Sequence, residues 1–136
     1  MTSDSKRAVL VTGASTGIGN YLVKYLAERG HIVYGTARKD NDLDALGKIE
    51  NVIPIGLDVR DTEQISQAVE FVNNHSTGLY GLVNNAGLGE LGMIPSWTDI
   101  ELYNIFNVNV FGPYRMVNAF LPMLLESKGR IVNIGS

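Results

Sequence analysis

The sequence contains no cysteine. Disulfides, thiol nucleophiles and cysteine-ligated metals are thereby excluded, and a reducing compartment is compatible with the chain. Histidine is scarce. His31 and His75 share no ligand spacing, which argues against a zinc site. Neither sign of charge dominates: 11 basic and 14 acidic residues give a formal net charge of -3. Nucleic acid as the main partner calls for a clustered basic surface, which this balance does not offer. No apolar run approaches the length of a membrane span. Residues 1–7 are polar, and the apolar run Ala8-Val9-Leu10-Val11 is too short for the core of a secretory signal. The expectation is a cytoplasmic protein without a membrane span.

What is present points to a packed core. Hydrophobic residues make up 45% and charged residues 18% of the chain. A length of 136 residues suits one domain, 1–136. Short apolar runs alternate with segments of helical period. Ala8-Val9-Leu10-Val11 is rich in β-branched residues and stops at Thr12-Gly13, which predicts a buried strand. Ile18, Tyr21, Leu22, Tyr25 and Leu26 recur at helical spacing and predict one buried face of a helix that stops at Gly30. Residues 31–37 read as a second strand, 42–48 as a short helix and 52–57 as a third strand. Pro54 has no N–H for a ladder, which assigns the third strand to a sheet edge. Asp61-Thr62-Glu63-Gln64 opens another helix, continued by Ile65, Ala68, Val69 and Val72. Residues 81–85 form a fourth strand. Thr98 and Glu101 make a capping box for a long helix ending near Ser127, which Gly112-Pro113 and Pro122 should bend or restart. Residues 130–134 form a fifth strand. Alternating strands and helices imply parallel pairing through right-handed crossovers. The predicted architecture is α/β: a doubly wound, Rossmann-type parallel sheet of five strands in the order 3-2-1-4-5.

The turn after the first strand reads Thr12-Gly13-Ala14-Ser15-Thr16-Gly17-Ile18-Gly19. In a βαβ unit this is where a pyrophosphate docks on a helix N-terminus. Gly13 permits the tight turn, Gly17 the approach of backbone to phosphate, and Gly19 the close packing of helix on strand. Ser15 and Thr16 carry hydroxyl donors. The spacing is neither G-x-G-x-x-G nor a P-loop, so the turn alone indicates a dinucleotide without naming a reaction. An acid at the end of the second strand would select the ribose hydroxyl of NAD. Here Thr36-Ala37 is followed by Arg38-Lys39, with Asp40 and Asp42 later. The planar fork of Arg38 suits a 2′-phosphate, so NADP(H) is preferred and NAD(H) is the alternative. The competing role for Arg38 and Lys39 is a solvated loop end.

Four further pieces follow in order: Leu57-Asp58-Val59, Asn84-Asn85-Ala86-Gly87, Asn107-Val108-Asn109-Val110-Phe111-Gly112 and Ile134-Gly135-Ser136. With these in register the chain resembles the classical short-chain dehydrogenase/reductase family over essentially its whole length. The resemblance implies hydride transfer between nicotinamide and a carbonyl or alcohol carbon. It implies that Asp58, with Val59 beside it, meets the adenine ring, and that Asn84, Asn85, Ala86 and Gly87 support the sheet and pass near the cofactor. A purely structural role for the two asparagines stays open. Asn109 matches the family's catalytic asparagine, which organises a relay water at a helix irregularity; Asn107 competes with it. Ser136 matches the catalytic serine, and the competing reading is a mere chain terminus. The family's Tyr-x-x-x-Lys pair has no match. Tyr21, Tyr25, Tyr34, Tyr80, Tyr103 and Tyr114 are followed four residues later by Tyr25, Arg29, Arg38, Asn84, Asn107 and Asn118. The expectation is therefore an N-terminal fragment, inactive by itself, with an exposed fifth strand. The alternative is a non-catalytic nucleotide-binding module.

The segment Leu88 to Trp97, followed by the Asn-Val-Phe-Gly helix and Leu121-Pro122-Met123-Leu124-Leu125, looks like the retinol and 17β-hydroxysteroid dehydrogenase branch, and so does Val33-Tyr34-Gly35-Thr36-Ala37-Arg38. That implies an apolar, retinoid- or steroid-like substrate. The loop after Gly87, with Gly89 and Gly92, would border its entrance. The family also implies a homo-oligomeric full-length parent associating through the helix after Thr98. Leu102, Ile105, Phe106, Val110, Met116 and Val117 are more apolar than one core face needs, with core packing as the equal alternative.

Overall fold

The computed structural model describes residues 6–76, 78–88 and 96–135. Five parallel strands, β1 (Ala8–Val11), β2 (Ile32–Ala37), β3 (Val52–Gly56), β4 (Gly81–Asn84) and β5 (Arg130–Asn133), form one sheet in the order β3-β2-β1-β4-β5. Helices α1 (Gly17–Glu28), α2 (Asp40–Gly47) and α3 (Thr62–His75) join the first four strands. Between β4 and β5 run α4 (Asp99–Phe106), a π-helical turn (Asn107–Phe111) and α5 (Gly112–Ser127). The register pairs Val9 with Val33 on one side and with Gly81 on the other.

The sheet is covered on both faces, which is why its central strands read as continuous apolar runs. Leu10, Tyr34 and Leu82 face a core built with Val72, Met116 and Phe120 of α3 and α5. Val9, Val11, Val33 and Val83 face a second core with Val23 and Ala27 of α1 and Leu46 of α2. β3 is an edge, as Pro54 requires. Leu57 N–H donates to Ala37 O of β2. Alternation along the strand therefore turns the N–H groups of Ile53 and Ile55 toward β2 and the ring nitrogen of Pro54 outward, where no ladder bond is lost.

The packing of α1 corrects the helical period. Its buried residues are Gly19, Val23 and Ala27, whereas Ile18, Tyr21 and Tyr25 are exposed and Leu22 and Leu26 only flank the core. The helix lies so near the strand ends that small residues must face inward. A Cβ on Gly19 would collide with Gly13 O and Asn85 Nδ2. The displaced aromatics make surface contacts instead. Tyr21 and Tyr25 stack at 6.1 Å, and the Arg29 guanidinium lies 3.4 Å from the Tyr25 ring centre.

The long segment after Thr98 begins with the expected capping box. Thr98 Oγ1 accepts from Glu101 N–H, and the Glu101 carboxylate accepts from Thr98 N–H. The helix is not continuous: its register widens at Asn107–Phe111, where Gly112 N–H reaches back to Asn107 O, and α5 restarts with Pro113 in its first turn. Among the apolar residues weighed as interface or core, Met116 is fully buried, while Leu102, Phe106 and Val110 are exposed. β5 lies at the other sheet edge with all four residues exposed. Ser136 and residues 89–95, which include Gly89, Gly92 and most of the Leu88 to Trp97 segment, lie outside the described residues. No helix among the described residues is long and apolar enough to cross a membrane.

Candidate functional site

A cleft of about 310 Å³ opens at the carboxyl ends of β1, β2, β3 and β4. One wall is the glycine turn, with Gly13, Ser15 and Thr16. Gly13 (φ +63°) and Gly17 (φ +58°) hold left-handed backbone that a side chain would strain. Nothing stands within 4 Å of the place a Cβ would occupy on Gly17, so the approach to the turn is open there. Thr16 begins α1 without a side-chain cap, which leaves the N–H groups of the first helical turn aimed past the turn. A helix of 12 residues with an uncapped, glycine-flanked N-terminus fits an anionic phosphate.

Thr12 fixes this turn against β4. Its Oγ1 accepts from the N–H groups of Asn85 and Ala86, both at 2.9 Å. Asn85 Nδ2 in return donates to Thr12 O at 3.2 Å and Gly13 O at 3.0 Å. The side chain of Asn85 is thus spent holding the turn. Asn84 lies deeper, 5% exposed, and its Nδ2 donates to Asn133 Oδ1 on β5 at 2.9 Å. Both asparagines do structural work.

The opposite wall carries Asp58 and Val59, with Arg38 at the rim after β2. Arg60 grips Asp58: Nη2 donates to Oδ2 at 2.7 Å, and Nε and the Arg60 backbone N–H donate to Oδ1 at 3.0 and 2.9 Å. The Arg60 hydrogen bond holds the Asp58 carboxyl below its usual range; burial opposes this, and the Arg38 charge adds to it. Asp58 is therefore ionised, and its Oδ2 also shares the Nε donor, at 3.3 Å. Arg38 is exposed and makes no hydrogen bond or ion pair among the described residues.

At the far end, Gly87, Leu88 and Val108 close the cleft. Asn109, in the π turn, clamps Leu88: Oδ1 accepts from Leu88 N–H and Nδ2 donates to Leu88 O, each at 2.7 Å. The residue four positions after Asn109 is Pro113, which has no N–H. The Asn109 carbonyl therefore has no α-helical donor four residues on. The carbonyl of Asn107 instead accepts from Gly112 N–H and from Arg115 Nη1.

The structure thus gathers Gly13, Ser15, Thr16, Arg38, Asp58, Val59, Asn85, Ala86 and Gly87 around one cleft. Gly17 sits beside it, Gly19 lies beneath Gly13, and the Ile18 side chain points to solvent. Sequence reasoning missed Thr36, Ala37, Leu57, Leu88 and Val108 in the lining. It also missed Thr12 as the hub and Arg60 as the partner of Asp58. The first was legible as a hydroxyl at a buried strand end, the second as a cation two residues after an acid in a tight loop.

A doubly wound parallel sheet with a glycine turn at its switch point defines a nucleotide-binding α/β fold. The short chain dehydrogenase family matches residues 7–136, and the chain belongs to that family of NAD(P)-binding oxidoreductases. It is 41% identical over 133 residues to Short-chain dehydrogenase PC-15 of Penicillium crustosum, covering 96% of this chain and 49% of the relative. It is 34% identical over 137 residues to Retinol dehydrogenase 5 of Homo sapiens, covering 97% of this chain and 43% of the relative. The X-ray structure of an alcohol dehydrogenase from Thermococcus sibiricus, complexed with 5-hydroxy-NADP, superposes with a TM-score of 0.89 at 26% identity, covering 95% of this chain and 57% of that one. The chain spans about half the length of the curated relatives it matches.

Proposed function

We propose that the chain is the nucleotide-binding part of an NADP(H)-dependent oxidoreductase that moves a hydride between nicotinamide and a carbonyl or alcohol carbon. The observation that carries this reading is the single cleft joining an uncapped helix N-terminus, an ionised Asp58 and a free Arg38. The cofactor supplies the hydride when bound. The uncapped first turn of α1, with Ser15 and Thr16, holds its phosphates. The Asp58 carboxylate would accept from the amino group of the base, with Val59 flanking it. Arg38 pairs with a 2′-phosphate, since Ala37 ends β2 without a competing acid. The Asn109 carbonyl holds a water at the π turn for proton transfer, while its side chain is spent on Leu88. Ser136 takes the substrate-binding role its place in the sequence suggests, and the remaining proton donor belongs to a part of the protein beyond these residues.

The similarity to retinol dehydrogenase 5 supports an apolar alcohol or ketone as substrate. The exposed apolar residues Ile100, Tyr103 and Phe106 of α4 support association of the parent enzyme through that helix. The direct test is titration of the chain with NADPH and NADH. Tighter binding of NADPH is expected, and R38Q should weaken NADPH about tenfold while leaving NADH unchanged, the size of one lost charge-assisted hydrogen bond. Equal loss for both nucleotides removes Arg38 from the 2′-phosphate, and no binding of either refutes the assignment. Turnover by a longer chain carrying Tyr-x-x-x-Lys separates the enzyme from a binding module.

A further inference from the structure

Two arginines outside the cleft tie its walls together. Arg60 holds Asp58 with Nε and Nη2, and its remaining arm, Nη1, donates to Asn104 Oδ1 on α4 at 2.7 Å. Arg115, on α5, donates from Nη1 to Val59 O and to Asn107 O, both at 3.3 Å. The two therefore bridge the Asp58–Arg60 loop and the helical segment around the π turn in opposite directions: one arginine reaches from loop to helix, the other from helix to loop. Between them backbone and side chain are in contact, since a Cβ on Gly112 would stand 2.7 Å from Val59 Cγ2. The π turn in its own right reaches across the cleft through Asn109 to Leu88. Arg60 and Arg115 line no part of the cleft themselves.

We propose that Arg60 and Arg115 are positioning residues that lock the Asp58–Val59 wall to the π turn, so that the seat of the nucleotide base and the Asn109–Leu88 clamp are set together. The planar guanidinium is what makes this possible. Arg60 serves a carboxylate and an amide on two different elements at once, with fixed angles between its donors. A lysine ammonium at the end of a flexible stem does not hold both directions. The inference deepens the nucleotide-binding reading and rests on it for the affinity measurement alone.

The test follows the Leu88 amide, donated to Asn109 Oδ1, by hydrogen exchange in the ¹⁵N-labelled chain, alongside affinity for NADPH. N104A removes the acceptor of Arg60 and leaves the Asp58–Arg60 pair intact. R115M removes the second bridge, with R115K in its place if R115M fails to fold. Each is expected to speed Leu88 exchange about tenfold and to weaken NADPH by about threefold to tenfold, the net worth of one ordinary hydrogen bond. N104D keeps an acceptor and should retain wild-type exchange. Unchanged Leu88 exchange in both N104A and R115M overturns the proposal whatever the affinities do. Faster exchange with unchanged NADPH affinity also overturns it, because the wall is then set without the turn. If the wild type binds no NADPH, the nucleotide reading fails, and Leu88 exchange alone decides whether the bridge exists.

Discussion

Gly19 shows how much one missing side chain decides. It lies under Gly13 and against Asn85, and these contacts fix how near α1 approaches the sheet. G19A must push the helix away or tilt the turn, so a loss of about 1–3 kcal/mol is expected in urea unfolding, together with loss of NADPH binding. Unchanged stability in G19A would mean that the approach has slack. Asp58 makes a second prediction, with a defined sign. Its folded-state value is lowered, chiefly by Arg60, so its stabilising contribution is complete above the unfolded value and fades as pH falls through the folded one. The wild type should therefore lose part of its advantage over D58N below about pH 4. Thermal unfolding of both proteins between neutral and acid pH reads this directly, and parallel curves would deny the Arg60 grip its effect on stability.

At the scale of elements, the strands and their order were legible because buried parallel strands are short, apolar and bounded by turns. Pro54 alone was enough to place β3 at an edge. The face of α1 was not legible from spacing. Large apolar residues mark a helix face, but a tight approach selects small ones, and only the paired glycines Gly13 and Gly19 hinted at it. The π turn was half legible: Pro113 announced a break, yet the contact made behind it joins Arg115 to Val59, two residues far apart in sequence. In the site, residues within one turn were found, and those acting through a neighbour, Thr12 and Arg60, were not. Ser136 lies beyond the described residues, so its role stays a proposal. Helix α3 offers an element-level prediction. Asp61 accepts from the N–H groups of Glu63 and Gln64, at 3.0 and 3.1 Å. Gln64 turns to Asp58 N–H at 2.8 Å, so the cap and the cleft wall share a loop. D61A should cost about 1 kcal/mol in chemical denaturation. It should also weaken NADPH binding, which an effect confined to the helix end would not.

Across the whole molecule, the two borders of the sheet are unlike. β5 pairs with β4 on one side only, and Ile131 and Val132 are 40% and 47% exposed. An apolar strand with unpaired backbone groups recruits further strands. The 136-residue chain should therefore associate with rising concentration, and V132K should suppress this. Sedimentation velocity at several concentrations reads the difference, and equal behaviour of V132K and wild type would clear β5 of responsibility. The outward nitrogen of Pro54 gives the opposite border another character. At the middle of β3 it replaces a donor with a ring, so a strand arriving there meets a gap where a bond should form. The sheet consequently has a polarity of growth. One margin is terminated by a single imino acid, and any strand that joins this fold, from its own chain or from another molecule, is directed to the β5 flank.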